Sequence, residues 1–107
     1  MALKIEKKKN KNNELCSLVF NEDMTIYVIE MLKQQISNEI EGYKVFELDL
    51  SGVEEIDSAG IQLLLALNNE LKRLNKEFKI SIMSASVTKL VQVYGLSERL
   101  NIIGETL

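Results

Sequence analysis

Three segments of this chain alternate apolar and polar residues with period two, and each is followed by a stretch whose apolar residues recur at helical spacing. Cys16, Leu18 and Phe20, then Phe46, Leu48 and Leu50, then Phe78, Ile80 and Ile82 each line one face of a strand. Between and after them, Ile29, Leu32, Ile36 and Ile40 form a helical stripe that stops before Gly42. Ile61, Leu64, Leu65, Leu67, Leu71 and Leu74 form a broader one from Ser58 to about Asn75. A third helix follows Ser86, with Val87, Leu90, Val91 and Tyr94 on one face and Gly95 as its stop. Strands separated by helices pair in parallel, because a parallel neighbour can be reached only through a crossover.

The positions between the apolar ones set the layering. Ser17, Glu47, Asp49, Lys79 and Ser81 are polar, so the sheet has one dry and one partly wet side. Right-handed crossovers place the connecting helices on the dry side if the strand order runs in one direction. Ahead of these elements, Leu3 to Glu6 reads as an edge strand followed by a polar turn at Asn10-Lys11-Asn12-Asn13. The expected architecture is α/β: one domain over residues 1–107, ordered β-β-α-β-α-β-α, with a four-stranded mixed sheet, mainly parallel, and helices packed on one face. Leu96 to Leu100, with Ser97 as a cap, reads as a last helical turn, and Ile102 and Ile103 as residues that tuck against the core.

At 107 residues such a domain buries a core without metal or disulfide staples. A net charge of −3 gives no general attraction to nucleic acid or anionic membranes, so proteins are the expected partners. The longest apolar run, Leu63 to Leu67, is too short to span a bilayer, which excludes direct membrane insertion. The amino-terminal stretch lacks a secretory pattern, and a cytoplasmic location is the default expectation. The five lysines between Lys4 and Asn13 read as a solvated edge rather than a binding tail.

The chemistry the chain can carry is narrow. It has no histidine, and its single cysteine, Cys16, falls on the apolar face of a strand as a buried thiol. No metal-ligand spacing, Walker sequence or dinucleotide fingerprint occurs, so no cofactor, metal or catalytic residue is expected. The loops leaving the carboxyl ends of the strands, Asn21 to Thr25, Ser51 to Gly60 and Ser84 to Thr88, gather on one edge and each leads into a helix. Within the second loop, Ser58 stands on an exposed corner at a helix start. Spacing alone favours a capping role for Ser58 or Asp57. Without a base Ser58 is no nucleophile, but a phosphate added there would meet both the helix dipole and the Asp57 carboxylate. Asp57 is either the cap or a carboxylate that orients the serine hydroxyl. Gly60 in the first helical turn costs helix propensity and points to close approach of another backbone or of a partner. Ser86 reads as the cap of the third helix.

Asp49-Leu50-Ser51-Gly52-Val53-Glu54-Glu55-Ile56-Asp57-Ser58-Ala59-Gly60-Ile61 resembles the signature segment of the STAS domain, the module of bacterial anti-sigma factor antagonists and of sulfate transporter tails. The resemblance runs from roughly Leu15 to Ile103. Asn21 to Met24 match a Gly-Glu-Leu-Asp-like loop, with methionine in the last place. The resemblance implies a partner-switching anti-sigma factor antagonist, active in transcription regulation and signal transduction and not an enzyme. Its protein partners would be an anti-sigma factor that is also a serine kinase, which phosphorylates Ser58, and a phosphatase that restores it. The implied partner surface comprises Glu22, Asp23, Met24 and Thr25, then Asp57, Ser58, Ala59 and Gly60, and Ser86. Two other roles fit the same surface: an accessory subunit holding the ATPase of a lipid-transport ABC complex, and a signalling partner in a chemotaxis operon, both without phosphorylation.

Overall fold

The computed structural model describes residues 15–102 in full and the backbone of Leu3–Lys8. The Asn10 to Asn13 turn, the side chains of the lysine-rich start and Ile103 lie outside the described residues. The elements are β1 (Leu3–Lys8), β2 (Leu15–Phe20), α1 (Ile29–Ser37), a short 3-10 turn (Ile40–Gly42), β3 (Val45–Leu50), α2 (Ser58–Arg73), β4 (Glu77–Met83) and α3 (Ala85–Val93).

The fold is α/β, a mainly parallel sheet with helices packed against it. Strand order is β1-β2-β3-β4; β2, β3 and β4 run parallel, and β1 pairs antiparallel with β2. Cys16, Leu18, Phe20, Phe46, Leu48, Leu50, Phe78 and Ile80 are buried on one face and join Leu32, Ile36, Leu64, Leu71, Val87 and Val91 of the helices in one apolar cluster. Fully burying each such side chain contributes roughly 1.5–3 kcal/mol. The intervening Val45, Glu47 and Asp49 of β3 are only partly buried.

Several local expectations need correction. Ile82 does not continue the buried face of β4. The register shifts between Leu48 and Asp49, so that Leu48 pairs with Ile80 but Asp49 with Ile82, and Met83 turns inward instead. Ser81 is the extra residue of this bulge, and its hydroxyl donates to the Leu48 carbonyl at 3.1 Å. In α2 the buried positions include Leu63, whereas Leu65 is half-buried. Tyr94 follows α3 with half of its surface in solvent rather than on the buried face. Residues 97–99 form a turn, closed by the Leu100 N–H donating to the Leu96 carbonyl at 3.1 Å, which seats both leucines in the core.

The helix ends follow capping chemistry. Beyond α2, Asn75 takes a left-handed φ of 60°, and the N–H groups of Asn75 and Lys76 donate to the carbonyls of Lys72 and Leu71. Beyond α3, Gly95 at φ 65° does the same, with Gly95 and Leu96 donating to Gln92 and Val91. These paired bonds satisfy carbonyls that a helix leaves open at its end. Among the described residues no helix is long and apolar enough to cross a membrane.

Candidate functional site

The loop after β2 and the loop after β3 are joined edge to edge. The Glu55 N–H donates to the Asp23 carboxylate at 3.0 Å, the Met24 N–H to the Glu55 carbonyl at 2.9 Å, and the Asp57 N–H to the Met24 carbonyl at 3.3 Å. The Ile26 N–H then donates to Asp57 Oδ2 at 3.0 Å. Met24 and Ile56 thus pair as a single parallel bridge beyond the sheet proper. Four hydrogen bonds across two loops hold this edge in one shape, which irregular backbone achieves only by satisfying its polar groups on a neighbour.

Asp57 is the residue on which α2 begins. Its Oδ1 accepts from the Ala59 N–H at 2.9 Å and the Gly60 N–H at 3.2 Å, and its backbone is extended, as for an N-cap. The capping role left open between Ser58 and Asp57 therefore belongs to Asp57. Ser58 is the first residue of the helix proper and is exposed, and its hydroxyl makes no hydrogen bond among the described residues. At α3 the structure corrects the choice of cap: Ser84, not Ser86, accepts from the Val87 N–H at 3.2 Å. Ser86 is thereby left exposed in the first turn.

Gly60 is buried, and the backbone that comes close is this chain's own. A β-carbon there would run into the Met24 carbonyl and would lie 2.7 Å from Ile56 Cγ1. Met24 is fully buried, so it and Gly60 shape the edge from within rather than offering side chains to a partner. Glu22, Ser58 and Ser86 are exposed, while Asp23, Thr25, Asp57 and Ala59 are half-buried. Ser86 comes to the same place as the second loop, lining a recess with Thr25, Tyr27, Glu54, Asp57 and Val93. Glu22, Asp23 and Thr25 line a second recess with Gly52 and Glu54.

Sequence reasoning missed the apolar part of this surface. Ile26, Tyr27 and Val93 are 67%, 93% and 69% exposed, unusual for side chains of this type so near one another. Ile26-Tyr27-Val28-Ile29 reads as one apolar run, of which only Ile29 is fully drawn into the core. The signal available was that run's position: its first three residues precede Ile29, where the helical stripe takes up its period.

A serine whose hydroxyl is unbonded among the described residues, next to a carboxylate that caps its helix and on an edge that also carries exposed apolar side chains, suits recognition by another protein. Solved structures share the fold. Over 98% of this chain and 89% of its own, the anti-sigma factor antagonist SpoIIAA in its unphosphorylated form superposes with a TM-score of 0.79 at 20% identity. A candidate anti-sigma factor antagonist of Thermotoga maritima gives 0.81 at 20% identity, over 96% of this chain and 87% of its own. The Bacillus cell-fate determinant SpoIIAA in its phosphorylated form gives 0.70 at 18% identity, over 98% and 92%. The family model described as "Mlab, STAS domain" matches residues 9–104, nearly the whole chain. By that match, this chain belongs to the STAS domain family.

Proposed function

We propose that this chain is a non-enzymatic, cytoplasmic protein-binding regulator, an anti-sigma factor antagonist whose partner exchange is controlled by phosphorylation of Ser58. The observation that carries this reading is the division of labour at the start of α2. Asp57 performs the capping, which leaves the Ser58 hydroxyl exposed and available to a kinase active site. A phosphate on Ser58 adds roughly −1.5 to −2 charges next to Asp57, on a loop that already carries Glu54 and Glu55. A surface that binds while carrying its present charge is thereby made repulsive to the same partner. The partner-facing residues are Glu22, Asp23, Thr25, Asp57, Ser58, Ala59 and Ser86, with Met24 and Gly60 supporting them.

The test is to incubate the protein with ATP and the serine kinase encoded beside it, and to map phosphate by mass spectrometry. Modification at Ser58, together with loss of kinase binding by Ser58→Asp, is expected. An unmodified Ser58, or undiminished binding by Ser58→Asp, rejects the reading.

A second reading has the same surface holding the ATPase of a lipid-transport ABC complex, with Ser58 as a contact. The exposed Ile26, Tyr27 and Val93 favour it, since permanent interfaces are more apolar than exchanging ones. Co-purification with an ATPase subunit that persists in Ser58→Ala and resists salt distinguishes it from partner exchange.

A further inference from the structure

We infer that Asp57 is a positioning residue that couples the Ser58 corner to the Ile26–Tyr27 turn, so that charge placed on Ser58 is read out as release of that turn. The inference rests on the proposed modification of Ser58 and specifies how it would be transmitted. One carboxylate serves both sides. Oδ1 accepts from Ala59 and Gly60 at the start of α2, and Oδ2 accepts from the Ile26 N–H, 31 residues earlier in the chain. The turn is otherwise closed by the Val28 N–H donating to the Thr25 carbonyl at 3.0 Å, a bond within the turn itself. The α1 that follows has no side-chain cap to anchor its start.

The two side chains carried by this turn form a ridge between two recesses. Ile26 borders one with Ala59 and Leu63, and Tyr27 borders the other with Ser86, Leu90 and Val93. Movement of the turn therefore reshapes both at once. A phosphate at Ser58 would stand next in sequence to the Asp57 carboxylate and compete for the Ala59 and Gly60 N–H groups that the carboxylate now holds. Repulsion between the two anions displaces the carboxylate, and the Ile26 N–H loses its acceptor.

Asp57→Asn separates the two duties. Asparagine caps a helix about as well as aspartate, but its amide nitrogen would face the Ile26 N–H donor with a second donor. Hydrogen exchange of the Ile26 amide, followed by NMR, is the readout. Acceleration of at least about tenfold is expected in Asp57→Asn, and likewise in protein carrying phosphoserine at position 58 installed during translation. Core amides such as those of Leu48 and Leu64 keep their protection, and phosphoserine at position 86 leaves Ile26 unchanged. Unaltered Ile26 exchange in the phosphoserine-58 protein overturns the coupling, as does an equal acceleration from phosphoserine-86. Should Asp57→Asn fail to fold, the phosphoserine-58 protein decides alone. Because the phosphate is installed without a kinase, failure of the kinase assay and failure of this one are separate results.

Discussion

The Met24 carbonyl occupies the space that a side chain on Gly60 would need. The same carbonyl accepts from the Asp57 N–H, so the contact that excludes a β-carbon is also the one that fixes the cap of α2. Two loops distant in sequence are thereby held at a separation set by one missing methyl group.

Gly60→Ala is expected to destabilise the domain by about 1–3 kcal/mol, the usual penalty of overpacking, although alanine is the better helix former. The obstacle is backbone, which cannot rotate away. Gly42→Ala is the control, since nothing lies within 4 Å of a β-carbon there. Urea unfolding of both variants checks the contrast; equal midpoints would contradict it.

Loss of the cap should separate Asp57 from Ser58. Asp57→Ala removes three hydrogen-bond acceptances and should cost at least ~1 kcal/mol, within the range for N-cap deletions. Ser58→Ala removes an exposed hydroxyl and should stay within about 0.5 kcal/mol of the parent. Thermal melts of the two variants decide between them.

At α3 the pair to compare is Ser84→Ala and Ser86→Ala. Ser84 accepts from Val87, so its removal should cost about 1 kcal/mol, while removal of Ser86 should be close to neutral. A larger loss from Ser86→Ala in chemical denaturation would reverse the assignment of the cap.

Glu70 supplies a pH dependence of known sign. Hydrogen bonds from the Arg73 guanidinium, at 2.8 and 2.7 Å, hold its carboxyl below the usual carboxylate range. A depressed folded-state pKa means stability that is present above the unfolded pKa and is lost as pH falls through the folded value. The pair is exposed, so the effect on stability is small. An NMR titration of the Glu70 side chain should show its midpoint rise in Arg73→Gln; an unmoved midpoint would refute the pairing.

The α/β class was legible because periodicity reports which face is buried, and the burial of Leu18, Leu48 and Leu64 follows from it directly. The bulge at Ser81 was not, since Phe78, Ile80 and Ile82 alternate in the sequence whether or not a residue is inserted, and Met83 is apolar as well. The Ser84 cap was hidden for a similar reason: two serines near the helix start are chemically equivalent until the backbone chooses between them. At the site, Gly60 announced a close approach without naming the neighbour. The bond from Ile26 to Asp57 spans too many residues to leave a local mark. The exposure of Tyr27 likewise depends on where the turn before α1 leaves the core.

The last described residues have a consequence for how copies of this protein can meet. The Ile80 N–H donates to the Asn101 carbonyl at 2.8 Å, the Asn101 side chain donates to the Phe78 carbonyl at 3.1 Å, and Ile102 bridges to Ile80. Strand β4 would otherwise offer Phe78-Lys79-Ile80-Ser81-Ile82-Met83 as an open template, rich in the residues that recruit foreign strands. With Phe78 and Ile80 already engaged by its own chain, that stretch of the β4 edge is closed to a foreign strand.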